Sequence, residues 1–282
     1  MRPGPVIGLF VQFAMLALLS AAVGLGVAGW AAGIAYAVGM CVLLTRAMRT
    51  AGAVAFGPAD LVTLTRAALT GCVAALTAAS FTGDVRVPVL VGITVVALVL
   101  DAVDGKVARR TGTASPFGAR FDMEVDAFLI LVLSCYVAPA VGPWVLAIGA
   151  MRYVYVVATW VLPWLRGQLF PRYWRKVVAA IQGIVLVTAA ADVLPRPVVV
   201  AALVAALALL TESFGRDVVF LWRHRAATAA AVRPAHVQAP AMAGAPAGAA
   251  VRGEQAPRSP RTATGEPRAD HATRAGRYSK RA

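Results

Sequence analysis

Residues 101–126 read Asp101-Ala-Val-Asp104-Gly105-Lys-Val-Ala108-Arg109, then eight residues, then Gly118-Ala-Arg-Phe-Asp122-Met-Glu124-Val-Asp126, between an apolar run that ends at Leu100 and another that begins at Ala127. Of the ten acidic residues that precede position 223, five lie in this stretch. The flanking runs put them at the ends of two neighbouring helices close to membrane depth, where a carboxylate is costly unless it is paired or metal-bound. Asp101 and Asp104 are spaced i, i+3, and Asp122 and Asp126 i, i+4, so each pair shares a helix face. With antiparallel helices joined through Arg110 to Phe117, the four carboxylates converge on one point. An all-oxygen ligand set suits a hard divalent cation such as Mg²⁺ or Mn²⁺. Glu124 lies about 200° around the helix from Asp122, which places it outside that site as a partner for a neighbouring Arg. Gly105 and Gly118 lie along the carboxylate faces, where a missing side chain makes room for a ligand or for close helix packing.

The rest of the chain fits a membrane environment. Of its 282 residues, 60% are hydrophobic and 14% charged, and the mean hydropathy is +0.73. Long apolar runs such as Val87 to Leu100 and Val198 to Leu210 carry that value, and such runs predict spanning helices. The net charge of +14 is unevenly placed: residues 223–282 hold eleven basic and three acidic residues in an Ala-, Pro- and Gly-rich stretch. This reads as a disordered basic tail facing the cytoplasm, suited to anionic headgroups, with no aromatic interleaving that would point to nucleic acid. Cys41, Cys72 and Cys135 lie in apolar segments without metal-ligand spacing, and His224, His236 and His271 fall in or at the start of the tail. Chemistry in the membrane part therefore falls to carboxylates.

A spanning length of about 20 residues predicts eight helices, at about 6–27, 30–48, 60–80, 87–109, 118–139, 143–164, 176–194 and 197–221. Turns are expected at Thr82-Gly83-Asp84, Pro139 to Pro143 and Leu194 to Pro197. One side receives Arg2, Arg46, Arg49, Arg109, Arg110, Arg120, Arg166, Arg172, Arg175 and Lys176, and the other only Arg86 and Arg196. The positive-inside rule then puts the first side, both termini and the carboxylate cluster at the cytoplasmic face of the cytoplasmic membrane.

The 101–126 stretch resembles the signature of the CDP-alcohol phosphatidyltransferases, D-x2-D-G-x2-A-R-x8-G-x3-D-x3-D, at every fixed position and spacing. Pro58-Ala-Asp60-Leu-Val-Thr63 resembles the P-D/N-x-x-T segment that opens the first core helix in many members, with one extra residue after the proline. The resemblance implies an all-α membrane domain of six helices over 58–222. Outside it lie a two-helix extension over 1–50 and the tail over 223–282.

It further implies two divalent cations, Mg²⁺ or Mn²⁺, held by Asp101, Asp104, Asp122 and Asp126 and gripping a donor pyrophosphate, with Asp126 as general base. Asp60, Thr63, Gly105, Ala108, Arg109, Ser115 and Gly118 would line the nucleotide site. The expected reaction transfers a substituted phosphate from a CDP-activated lipid, CDP-diacylglycerol first, to a second alcohol with release of CMP, as a step of phospholipid biosynthesis. Direct transfer is expected, and a covalent step stays open. A homodimer is also implied by the relatives.

Arg152, Arg172, Arg175, Lys176 and Arg216 are the candidates for the acceptor pocket. Arg152, in the middle of an apolar helix, should face a polar cavity, either to bind an acceptor phosphate or to pair with a motif carboxylate. Two other classes compete: a cation or proton transporter, and a non-catalytic scaffold with a recruiting tail. Transporters favour repeats and broken midplane helices, whereas here the acids cluster at one end. The scaffold leaves the four spaced aspartates without a role.

Overall fold

The computed structural model describes residues 3–51, 58–111, 116–167 and 173–225, and within them the side chains of 6–49, 61–103, 118–167 and 174–225. Eight α-helices follow one another among these residues: α1 (Pro3–Val23), α2 (Val27–Ala51), α3 (Pro58–Ser80), α4 (Val87–Thr111), α5 (Pro116–Val141), α6 (Leu146–Val161), α7 (Tyr173–Ala190) and α8 (Arg196–Arg223). No strand occurs among the described residues. Among the described residues, six helical stretches are long and apolar enough to cross a membrane: Val6–Val23, Val27–Arg49, Leu61–Ser80, Gly118–Val141, Pro143–Val161 and Arg196–Arg223. The apolar part of α4, Val87–Val103, is shorter, and α7 carries Arg175 and Lys176 in its first turn. The protein is an all-α integral membrane bundle, with α1 and α2 added ahead of the other six helices.

Within the bundle α3 is central. It packs against α1, α2, α4 and α5, and 72% of its apolar span is buried inside the protein, against 17–39% for the other five spans. Small buried residues make this close packing feasible, among them Ala67, Ala68, Cys72, Ala75 and Ala79, since short side chains let helix backbones approach in lipid. The same device joins α5 and α6, where a Cβ on Gly149 would lie 2.5 Å from the Leu131 Cα. A buried amide links the last pair, Gln182 Nε2 on α7 donating to the Ala206 carbonyl on α8 at 2.8 Å.

Two proline-marked boundaries differ from the sequence expectation. The turn expected at Pro139 to Pro143 begins later, because α5 runs through Pro139 to Val141 and the chain reverses at Gly142. That residue's φ of 140° favours glycine, and its N–H closes the helix on the Ala138 carbonyl at 2.8 Å. The helix expected over 143–164 is divided into a 3₁₀ turn at Pro143–Val145, α6, and a second 3₁₀ turn at Pro163–Arg166. Pro163 disfavours helical backbone in the residue before it, and Leu162 leaves the helix at φ −117°, ψ 89°.

Candidate active site

Thr63, Arg66 and Thr70 lie one turn apart along α3 and share a face of it. All three are buried, and Arg66 is only 1% exposed. A cation this deep needs partners, and α4 and α5 bring them. Arg66 Nε donates to the Ala97 carbonyl on α4 at 3.2 Å. One turn further along α4, Asp101 Oδ1 lies 3.0 Å from Arg66 Nη2. From the first turns of α5, Asp122 Oδ1 pairs with Arg66 Nη1 and Asp126 Oδ1 with Nη2. One guanidinium thus gathers acids from two helices onto a third, using the fork of donors that distinguishes Arg from Lys.

The cluster is open on one side. Asp101, Asp122 and Asp126 are 42%, 33% and 31% exposed, while Arg66 lies beneath them as a floor. The three carboxylates each offer an oxygen within 4.8 Å of the others. Opposite ligands across a divalent ion with oxygen bonds of about 2.1–2.4 Å are separated by roughly 4–5 Å, so the residues fit a hard divalent cation with only small adjustments.

A sequence model described as CDP-alcohol phosphatidyltransferase matches residues 56–212, more than half of the chain, from just before α3 into α8. The chain belongs to the CDP-alcohol phosphatidyltransferase family. No curated protein and no solved structure matches it. As a member of this family the protein is a membrane transferase whose substrates are a CDP-alcohol donor and an alcohol acceptor. The divalent-metal dependence of such transferases agrees with the three-aspartate cluster.

Of the motif residues, Asp101, Asp122 and Asp126 come together around Arg66. Asp104, Gly105, Ala108 and Arg109 continue α4, and Asp60 lies in the first turn of α3; the side chains of these five are outside the described residues. Ser115 and Arg172 also lie outside them. Gly118 sits one turn before Asp122 in α5, and Thr63 one turn before Arg66 in α3.

Three of the basic residues expected around the acceptor pair with acids outside the aspartate cluster. Arg152 Nη2 on α6 pairs with Glu124 Oε1, so Glu124 points away from the aspartates to an arginine partner, as its angular position predicts. Arg175 Nε on α7 lies 3.3 Å from Asp217 Oδ2 on α8. Arg216 pairs with Glu212 one turn earlier on α8 and is 66% exposed. Lys176 is exposed at the start of α7.

Sequence reasoning missed Arg66, Asp217 and Tyr155, whose hydroxyl donates to the Leu165 carbonyl at 3.2 Å. For Arg66 a signal was present: a basic residue flanked by Thr63 and Thr70 on one face of a largely apolar span.

Proposed function

We propose that the protein transfers a substituted phosphate group from CDP-diacylglycerol to a second alcohol, releasing CMP in phospholipid biosynthesis. Asp101, Asp104, Asp122 and Asp126 would hold two divalent ions, Mg²⁺ or Mn²⁺. The observation that carries this reading is the convergence of Asp101, Asp122 and Asp126 on one exposed-sided cluster within the family's matched region. Bound divalent ions supply charge neutralisation at the donor diphosphate and at the departing CMP.

The chain's own residues do the remaining work. Arg66 engages Oδ1 of Asp126, so accepting the acceptor hydroxyl's proton falls to Oδ2. The acceptor oxygen then forms a bond to the lipid-bearing phosphorus, the phosphoanhydride bond breaks, and CMP leaves with the electron pair. Such a transfer needs in-line positioning and charge stabilisation more than a side-chain nucleophile. Direct displacement is therefore the proposed course. Asp60, Thr63, Gly105, Ala108, Arg109, Ser115 and Gly118 are assigned to the cytidine nucleotide and its approach.

Arg152, Arg172, Arg175 and Lys176 are assigned to the acceptor side. Arg152 and Arg175 each meet a carboxylate of this chain, which holds them in place for exchange onto a polar acceptor. The excess of Lys and Arg on one set of connections supports a cytoplasmic membrane location with the site and both termini facing the cytoplasm. Residues 58–222 would form the catalytic membrane domain, with α1 and α2 as an extension and residues 223–282 as a cytoplasmic tail.

The test is CMP release by the full chain in lipid nanodiscs, with CDP-diacylglycerol, Mg²⁺ or Mn²⁺, and acceptor alcohols offered one at a time. Release that requires metal, one acceptor and Asp126 establishes the reaction and names the acceptor. No release with any acceptor, together with no metal-dependent binding of CDP-alcohols, overturns it.

A further inference from the structure

Arg66 carries a charge that arginine does not give up in proteins, in a side chain only 1% exposed. Its Nε is tied to the Ala97 carbonyl on α4. Its amino groups meet Oδ1 of Asp101, Asp122 and Asp126. Burial and that anchor keep the positive charge against the cluster whatever else binds there. The guanidinium thus offsets one of the three carboxylate charges it gathers. A divalent ion approaching these carboxylates from their exposed side meets a fixed unit charge a few ångströms behind them. That repulsion is stronger in a protein interior than in water.

We propose that Arg66 is a built-in counter-cation of the aspartate cluster, which holds Asp101, Asp122 and Asp126 together and at the same time antagonises divalent-ion binding to them. The proposal rests on the metal-dependent reading of the site given above. Its physical content is a balance of two terms. Arg66 neutralises acids that would otherwise repel one another within 4.8 Å, and its charge subtracts from what an ion gains there. The ions are thereby held loosely enough to exchange between turnovers, and the diphosphate of the donor supplies the further negative charge that favours their retention.

Two consequences separate this role from a merely structural one. A group that only orients metal ligands weakens metal affinity when it is removed, by about 10–100-fold. A counter-cation does the reverse: its removal leaves the acids uncompensated, so the chelated protein loses stability, and an ion then binds more tightly and restores more of it.

The experiment uses the full chain in nanodiscs, stripped of metal with a chelator, dialysed and titrated with Mn²⁺ while free ion is followed by electron paramagnetic resonance. Arg66→Gln is expected to bind Mn²⁺ at least about tenfold more tightly than wild type, with a larger rise in unfolding temperature on saturation. Affinity that is unchanged or weaker overturns the proposal. Should Arg66→Gln fail to fold, Arg66→Lys decides, because Lys keeps the charge without the fork. Mn²⁺ affinity within about threefold of wild type supports a role in charge, whereas a greater loss assigns Arg66 to ligand orientation. Wild-type protein that binds no Mn²⁺ removes the metal-dependent reading and this proposal with it. Wild-type binding without the Arg66→Gln gain removes the proposal alone.

Discussion

The Tyr36 hydroxyl on α2 donates to the Ala67 carbonyl on α3 at 2.8 Å, beside Arg66 in the chain. The Tyr36 ring also stacks on Phe128 of α5, with centroids 5.0 Å apart, two residues beyond Asp126. A helix outside the family match therefore braces both the helix that carries the guanidinium and one that supplies its acids. Tyr36→Phe keeps the ring and loses the hydrogen bond, so it should cost about 1 kcal/mol of stability. Tyr36→Ala should cost more and also lower the rate of CMP release. Thermal unfolding in detergent alongside the release assay checks both, and an unaltered unfolding midpoint in Tyr36→Ala would remove α2 as a brace.

Asp126→Asn should abolish turnover while the nucleotide still binds, because the amide keeps the shape but cannot take the acceptor's proton. Asp101→Asn should weaken metal-dependent nucleotide binding as well, since a charged ligand is lost. Equilibrium binding of a CDP-alcohol with and without Mg²⁺ separates the two. Undiminished turnover in Asp126→Asn would eliminate it as the base.

Arg152 and Glu124 can be separated by charge reversal. Arg152→Ala should raise the KM for the acceptor by about tenfold or more, since charge-assisted bonds are among the stronger ones, and leave the donor KM near wild type. The double variant Glu124→Arg with Arg152→Glu restores an ion pair between α5 and α6 and should recover stability without recovering the acceptor KM. Recovery of that KM by the double variant would reduce Arg152 to a structural partner.

Gly149→Ala tests the approach of α5 and α6. The new methyl would meet Leu131 Cα at 2.5 Å and Ser134 Oγ at 3.0 Å, a contact that only movement of a helix relieves, so the expected loss is about 1–3 kcal/mol. The displaced α6 should also raise the acceptor KM through Arg152. An unfolding midpoint equal to wild type would show that the contact yields without cost.

The aspartates are legible in the sequence because their helical spacing and their place beside apolar runs each narrow the geometry. Glu124 is legible for the same reason, its angle turning it from the cluster toward Arg152. Arg66 is harder to find, because its partners lie on other helices and sequence spacing does not encode which helix faces which. Its neighbours Thr63 and Thr70 mark a polar stripe, yet a stripe alone does not specify carboxylate partners. Prolines mislead in two places, one helix running past its proline and the other ending before it. Pro139 lies inside the last turn of α5, where its lack of an N–H costs one helical hydrogen bond but the helix runs on for two more residues, whereas Pro163 falls after α6 has lost its helical backbone at Leu162. The acceptor side is the least legible part, since Arg175 finds Asp217 on a neighbouring helix, an acid that no motif connects to it.

The burial of Arg66 also sets a condition on how the chain enters the membrane. Arg66 is the sixth residue of the Leu61–Ser80 span, where a charge opposes insertion by less than the about 2.5–3.5 kcal/mol it costs at a helix centre on a translocon scale. Two of its neutralising partners, Asp122 and Asp126, are 56 and 60 residues further along. At about 5–20 residues per second, roughly 3–12 seconds of synthesis separate them. During that interval α3 is a nascent helix with an unmet electrostatic demand, for which the insertion machinery or the hairpin of α1 and α2 must provide shelter. A chain arrested before α5 should therefore be cleared by membrane proteases more readily than one that extends beyond Asp126.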